Sequence, residues 1–289
     1  KSVNEQAKIK GLNFFFQQYP GKKNLSIVNV ISMEQPSQTG IKFEAFAKHL
    51  NVIHQRHGVK KIVIILTDFL QRHYIGLNEK LSLSEVRKLS NEKGNVWIKK
   101  NRKALTFCLN LKINFDIVRW EKLLAQKDFG EALDKIKNLY HIDVKFKSIV
   151  DILSQHYADK LVRRSENLEK PFNIQTCFEA AKSYLLEESA IWGPLLNLGF
   201  DFITYPGRKN EAVEYTYTHL FQSENCDLPW FRYSFEKKRI SVSMCSETLT
   251  KRYKSLNVLS NFQFFISLAT GKMENFKQKE FCQDRRHSV

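Results

Sequence analysis

Cysteine is scarce and scattered in this chain of 289 residues. The five cysteines are an odd number, lie far apart and form no CxxC pair: Cys108, Cys177, Cys226, Cys245 and Cys282. This spacing argues against a disulfide framework and against a zinc knuckle. Cys108 and Cys177 lie in apolar helical contexts, which predicts that both are inert core residues.

Long apolar runs are missing as well. No stretch approaches the 18 residues that a membrane-spanning helix requires. The basic N-terminal region lacks the apolar segment and cleavage site of a signal peptide. We therefore expect a cytoplasmic protein with no membrane partner. Since no internal repeat or low-complexity linker interrupts the sequence, we expect one domain over residues 1–289, with a polar and mobile tail from about residue 271.

The signature motifs of nucleotide and metal enzymes are also absent. No GxGxxG follows the first predicted strand, and no GxxxxGK[ST] occurs anywhere, so the usual phosphate-binding loops are excluded. Neither the HExxH zinc motif nor the GxSxG nucleophile elbow is present. We expect neither a cofactor nor a metal.

Charge of one sign is abundant. The chain carries 46 Lys and Arg against 30 Asp and Glu, a net charge of +16. Such an excess favours a polyanionic partner, most often nucleic acid. The densest basic segment is Arg87–Lys103, where Lys99 and Lys103 lie one turn apart on one helix face. Charge alone leaves two interpretations of this segment open: a phosphate-binding surface or a solvated helix face.

The first strong structural signal is the apolar run over residues 26–31, which ends at Ser32. A helix follows over residues 41–57 and ends at Gly58, and a second continuous apolar strand covers residues 61–66. This order is a βαβ unit with parallel strands buried on both faces. In such sheets ligands bind beyond the carboxyl ends of the strands, so Ser32 lies where an α/β enzyme would hold a nucleophile.

The remaining pattern alternates strands with helices and predicts an α/β fold with a Rossmann-like parallel sheet flanked by helices. We expect helices over 83–92 and 96–109, parted at Gly94, then a strand at 114–120. A long helical region over 121–166, a helix at 174–192, a strand at 200–204 and two late strands at 230–235 and 239–244 complete the prediction. Residues 1–25, around Phe14–Phe16, are expected to form a lead-in strand or turn.

Three polar positions add to the candidate site. Tyr184 and Glu188 are one helical turn apart, so their phenol and carboxylate share one face and could bind an amine and move its proton. Glu187 is expected to be the more solvent-facing of the two adjacent glutamates. Tyr205 follows the strand at 200–204 and could reach the same cavity as Ser32.

Together these stretches resemble one enzyme family, the tRNA-dependent cyclodipeptide synthases, in the branch whose strand-end pair is Tyr-Pro. The resemblance spans about residues 26–207. The matching stretches are Val30–Gln35, Asp68–His73, Gly94–Asn101, Arg119-Trp120, Tyr184–Glu188 and Phe202–Gly207. It implies a fold similar to the catalytic domain of class I aminoacyl-tRNA synthetases, two aminoacyl-tRNAs as substrates, no ATP and a monomer.

The resemblance also implies roles for individual residues. Ser32 would carry first an aminoacyl and then a dipeptidyl ester in ping-pong catalysis. Tyr184 and Glu188 would hold the amine and relay its proton, and Tyr205 would orient the acyl group. Gln35 and Pro206 would contact substrate, where the other branch of the family has asparagine and histidine. The acceptor arm of the first tRNA would bind four basic residues: Lys99, Lys100, Arg102 and Lys103.

Two alternative functions are also compatible with the sequence. A non-catalytic RNA-binding protein on a synthetase-like fold would also explain the charge. A serine hydrolase would explain Ser32, although no clear Ser-His-Asp set is present. The resemblance does not place the second substrate pocket, because residues 210–228 match nothing in the family.

Overall fold

The computed structural model describes residues 5–33, 35–77, 81–111, 113–207, 209–222 and 228–237. The strand predicted at 239–244 and the polar tail predicted from residue 271 therefore lie outside the described residues. The same holds for Cys226, Cys245 and Cys282.

A six-stranded sheet organises the described residues. Its strands are β1 (Glu5–Ile9), β2 (Leu25–Ile31), β3 (Val59–Leu66), β4 (Asn114–Arg119), β5 (Phe202–Tyr205) and β6 (Trp230–Lys237). The spatial order is β1-β6-β5-β2-β3-β4, and every neighbouring pair is parallel except β1 with β6. The predicted α/β class with a Rossmann-like parallel sheet is confirmed, as is the pairing of the first two predicted strands.

Ten α-helices surround this sheet in the described part of the chain. They are α1 (Leu12–Gln18), α2 (Ile41–His57), α3 (Leu83–Lys100), α4 (Arg102–Leu109), α5 (Trp120–Leu124), α6 (Lys127–Ile142), α7 (Val144–Ser165), α8 (Ile174–Ser189), α9 (Trp192–Asn197) and α10 (Glu211–Thr216). Short 3-10 helices cover Pro36–Gln38 and Phe69–His73, and a π-helical turn covers Tyr217–Phe221. The helix predicted over 41–57 has those bounds, and Gly58 ends it with φ of 69°.

The helices cover both faces of the sheet and create two core layers. Val28 and Val30 of β2 join the layer that includes α6 to α8, whereas Ile27 and Ile31 join the layer that includes α2 and α4. This alternation follows from the two-residue period of a strand. It explains why the strand reads as a continuous apolar run in the sequence.

The two predicted core cysteines are buried, as expected. Cys108 belongs to the layer with α2 and α4, and Cys177 to a smaller cluster between α7 and α8. Burial raises the pKa of the Cys108 thiol to about 12 and that of the Cys177 thiol to about 11. Both thiols are therefore protonated and unreactive at neutral pH.

Two regions differ from the sequence prediction. The segment around Phe14–Phe16 forms helix α1, because Phe15 is buried in the core layer of α2 while Phe14 remains exposed. The long helical region is divided into α5, α6 and α7. The division before α7 is at Asp143, whose side chain accepts a hydrogen bond from the Phe146 N–H at 2.9 Å and so caps the new helix.

The predicted helix break at Gly94 is wrong, because α3 runs through this position to Lys100. The break lies at Asn101, whose side chain accepts from the Gly40 N–H and donates to the Trp97 carbonyl, both at 2.8 Å. Gly94 serves a different purpose. Its missing side chain leaves room for the ion pair between Arg119 and the fully buried Asp68.

Replacing Gly94 by alanine should destabilise the fold. The new Cβ would lie 2.0 Å from Arg119 Nη1 and 2.6 Å from Asp68 Oδ2, so the buried ion pair must shift. Overpacking of this kind costs about 1–3 kcal/mol. Gly130→Ala is the matched control: Gly130 is exposed on α6, a Cβ there would meet nothing within 4 Å, and alanine should add about 0.5–1 kcal/mol of stability. Urea unfolding of the wild type and both variants measures the changes in the free energy of unfolding. Equal changes in the two variants would contradict the role of Gly94.

Candidate active site

The end of β2 is held in place by a buried glutamine. Ser32 donates its backbone N–H to Gln38 Oε1 at 2.8 Å, and Gln38 Nε2 donates to the Val30 carbonyl at 2.6 Å. Trp97 in turn donates its indole N–H to the Gln38 carbonyl at 3.0 Å. Gln38 is fully buried, so both polar ends of its amide are used to fix the strand end. The Ser32 hydroxyl is thereby presented at a defined position.

A cavity of about 470 Å³ opens at the carboxyl ends of β2, β3 and β5. Five of the predicted site residues line it: Ser32, Gln35, Tyr184, Glu188 and Tyr205. Pro206 follows Tyr205 in the chain but does not line the cavity. The sheet order explains the convergence, since β5 pairs directly with β2 through Asn29 and Thr204.

Ser32 and Tyr205 line the same cavity, and their side chains lie close enough to interact. Burial raises the pKa of Tyr205, the negative charge of Glu188 raises it further, and the interaction with Ser32 opposes both. Burial and Glu188 likewise raise the pKa of Tyr157, which also lines the cavity, to about 12. Both phenols therefore keep their protons at neutral pH and can act as hydrogen-bond donors.

Tyr184 and Glu188 share one face of α8, as their spacing predicts. The Glu188 carboxylate is partly buried, accepts a hydrogen bond from the Asn210 amide at 2.7 Å and lies close enough to Tyr184 to interact with it. The Tyr184 ring stacks on Tyr74, with 5.0 Å between ring centroids. Burial raises the pKa of Glu188 to about 7, although its interactions with Asn210 and Tyr184 act in the opposite direction. A carboxylate with this pKa can both take and return a proton near neutral pH.

The prediction that Glu187 faces solvent is wrong. Glu187 is 4% exposed and accepts hydrogen bonds from Arg72, His73 and Trp120. Burial alone would raise its pKa, but the bonds from His73 and Arg72 outweigh burial and lower it. Glu187 is thus a buried anion that ties α8 to the segment after β3, next to the cavity.

The predicted tRNA-binding residues lie on a different surface. Lys99, Lys100, Arg102 and Lys103 are exposed and line a groove of about 660 Å³ between α2 and the α3–α4 corner, which we call the basic groove. Lys103 pairs with Glu44 across it at 3.5 Å. Trp97 and Asn101, which flank these residues in sequence, are buried and have structural roles.

Several residues of the cavity were not found from the sequence. The cavity is also lined by Gln71, Tyr74, Trp120, Tyr157, Lys160, Arg164, Lys209, Asn210 and Trp230. Of these, Asn210 had a local signal, because it caps α10 by accepting from the Val213 N–H at 2.8 Å. Tyr157, Lys160 and Arg164 lie on α7 at spacings of three and four residues, which places them on one helix face. Gln71 and Trp120 lie in stretches that carry the family resemblance, although no site role was predicted for either. The remaining residues carry no shared pattern in the sequence.

Among the described residues, no group of three His, Cys, Asp or Glu side chains is arranged to hold a metal ion. None of the helices described is long and apolar enough to cross a membrane.

Comparison with known proteins gives matches in structure. A scan against protein-family models and a search of curated proteins find no match. A cyclodipeptide synthase from Fluoribacter dumoffii has a TM-score of 0.68 at 22% identity, covering 81% of this chain and 100% of that chain. One from Candidatus Glomeribacter gigasporarum, solved bound to Phe-tRNAPhe, has a TM-score of 0.68 at 26% identity, covering 83% and 98%. One from Bacillus thermoamylovorans has a TM-score of 0.52 at 15% identity, covering 81% and 96%. The structural neighbours of this chain are thus cyclodipeptide synthases.

Proposed function

We propose that this protein is a tRNA-dependent cyclodipeptide synthase that joins the aminoacyl groups of two aminoacyl-tRNAs. One observation carries the proposal. A single cavity holds a strand-end serine beside a tyrosine, Ser32 with Tyr205, and a tyrosine beside a carboxylate, Tyr184 with Glu188. The fold shared with cyclodipeptide synthases supports it.

In the first step, the Ser32 oxygen attacks the ester carbonyl of an aminoacyl-tRNA. A new ester forms on Ser32, the ester bond to the tRNA ribose breaks, and the serine proton goes to the ribose oxygen. The acyl group is already activated as an ester, so the protein needs to supply position and proton transfer. Tyr205, as a donor beside Ser32, would orient the acyl group.

In the second step, the amine of the Ser32-bound aminoacyl group attacks a second aminoacyl-tRNA. A peptide bond forms, the second tRNA leaves, and a dipeptidyl ester remains on Ser32. The free amine of that dipeptide then attacks the Ser32 ester, which closes the ring and restores the serine hydroxyl. Glu188 would take the proton of each attacking amine and pass it to the leaving oxygen, first that of the tRNA ribose and then that of Ser32. Tyr184 would hold the amine, because both residues lie in the cavity with Ser32.

Within this proposal the chain belongs to the Tyr-Pro branch. Pro206 has no group that can transfer a proton, so proton transfer falls to Glu188 and the tyrosines. Gln35 is exposed and lines the cavity, where its amide would contact substrate.

The proposal is tested by incubating the purified protein with a mixture of charged tRNAs and analysing the products by mass spectrometry. Cyclic dipeptides should form. The absence of any product with every aminoacyl-tRNA would contradict the function and favour a non-catalytic RNA-binding protein, for which the basic groove is the supporting observation. Such a protein would bind charged and uncharged tRNA alike. A serine hydrolase has less support, since none of the histidines in the described part of the chain lines the cavity.

We expect the basic groove to bind tRNA phosphates. The double variant Lys99→Ala/Lys100→Ala should weaken tRNA binding and reduce the slope of log Kd against log salt concentration by roughly 0.7–0.9 for each phosphate that the variant no longer neutralises. The matched control is Lys135→Ala/Lys137→Ala, which removes two exposed charges from α6 in the opposite layer. Filter binding over a salt series measures both, and an equal change in slope would show that only net charge matters.

A further inference from the structure

Gln71 is a buried side chain in the cavity with an unused hydrogen-bonding group. It is 2% exposed and lies in the 3-10 helix after β3. Its backbone is fully engaged: the N–H donates to Asp68, and the carbonyl accepts from Tyr74 and Ile75. Its side-chain Oε1, by contrast, is buried and accepts no hydrogen bond from any described residue. Burial of an acceptor without a hydrogen-bond donor costs free energy, so such an atom requires an explanation.

Gln38, which binds the end of the neighbouring strand β2, is a second buried glutamine with which Gln71 can be compared. It is equally buried, yet its amide oxygen and nitrogen both bind the backbone at the end of β2. Gln38 therefore has a structural role that its contacts explain. The Gln71 amide oxygen makes no such bond to the fold and the residue lines the cavity instead, so the folded chain alone does not account for it.

The residues that line the cavity with Gln71 restrict the kinds of ligand that can bind there. Val30, Trp120 and Ile191 line the same cavity, which makes much of the wall apolar or aromatic. The Trp120 indole N–H is already donated to Glu187 at 2.7 Å, so it does not satisfy Gln71. A ligand that contacts this part of the wall and pairs with Gln71 has an apolar body and a hydrogen-bond donor.

The position of Gln71 relates it to the acyl group. β3 pairs with β2 such that Leu66 lies opposite Ile31, and β5 pairs with β2 on the other side. Gln71 therefore lies on the β3 side of Ser32, whereas Tyr205 lies on the β5 side. An acyl group on Ser32 would lie in the cavity that Gln71 and Tyr205 also line.

We propose that Gln71 selects an aminoacyl group whose side chain carries an N–H or O–H donor on an apolar body, such as that of tyrosine, tryptophan or histidine. This inference rests on the proposed function. A site that hydrogen bonds a substrate hydroxyl or N–H discriminates far more strongly against the analogue that lacks it than an apolar pocket discriminates by size.

The test is the product profile of Gln71→Leu against the wild type, each expressed in a host that supplies its own charged tRNAs. Every major wild-type product should contain at least one residue with a side-chain N–H or O–H donor. In Gln71→Leu the ratio of donor-bearing residues to their apolar counterparts, such as tyrosine to phenylalanine, should fall by at least about tenfold. Gln71→Met, which has an unbranched side chain of similar length, should give the same fall.

The control is Gln175→Leu, at an exposed position where the glutamine binds Glu179 on the helix surface, and it should leave the ratio unchanged. Both Gln71 variants should be at least as stable as the wild type, because each removes an amide whose oxygen is buried and unpaired. If Gln71 had a structural role, both variants would be less stable than the wild type. Wild-type products built only from residues without side-chain donors, or an unchanged ratio in both Gln71 variants, would overturn the inference. No product from any of these proteins would instead overturn the proposed function, and the inference with it.

Discussion

Replacing Ser32 by alanine should abolish cyclic dipeptide formation, with a loss of at least about a thousandfold, because the acyl carrier of both covalent intermediates is removed. The fold should remain, since the Gln38 contact uses the Ser32 backbone N–H and not its hydroxyl. The loss of the interaction between the Ser32 and Tyr205 side chains should cost only about 1 kcal/mol. Product is quantified by mass spectrometry with charged tRNAs in excess.

A second measurement separates carrier chemistry from binding. Wild type quenched in acid after incubation with radiolabelled aminoacyl-tRNA should retain label as an ester, and Ser32→Ala should retain none. Ser37→Ala, which changes a serine five residues further on that does not line the cavity, is the matched control and should behave as wild type. Tyr205→Phe should form the ester more slowly. If Ser32→Ala made product at the wild-type rate, the covalent mechanism would be wrong.

The second large effect on activity is expected from replacing Glu188. Its carboxylate must be ionised to accept a proton from the attacking amine, and its pKa is about 7. Activity at saturating substrate should therefore rise as pH increases from about 6 to 8. Glu188→Gln should lose about 10²–10⁴-fold in kcat, as is usual when a general base is removed. The amine of the substrate also titrates, but it does so in both proteins, so the difference between their pH profiles reports Glu188.

The same residue should make stability depend on pH. Folding raises the pKa of Glu188 from its ordinary value of 4.5 to about 7, so the folded state binds more protons between these values. Wild-type stability should fall, relative to Glu188→Gln, as pH rises through this window, by about 1–3 kcal/mol. Unfolding curves of both proteins at pH 5 and pH 8 measure this difference. A difference of the opposite sign would mean that Glu188 is stabilised as an anion.

Much of the fold could be predicted because its signals are local. The apolar run that ends at Ser32, the helix over 41–57 and the second strand are each encoded by neighbouring residues, and the structure confirms them. The pair Tyr184 and Glu188 was equally accessible, because residues four apart on a helix always share a face.

The errors came from contacts between distant segments. Gly94 predicts a helix break by propensity, yet α3 continues because the glycine makes room for Arg119, which belongs to β4. Glu187 and Glu188 look alike in the sequence. Arg72 and Trp120 come from two other elements, and they make one of the glutamates a buried structural anion.

Most of the elements, and the polar side chains at their ends, follow from residues within one or two turns and can therefore be predicted from the amino-acid sequence. The folded chain was needed to show that β5 pairs with β2, which brings Tyr205 to Ser32. It also decided the raised pKa of Glu188 and the unpaired amide oxygen of Gln71. Strand order, burial and hydrogen-bond partners are properties of residues far apart in the chain, and no local pattern records them.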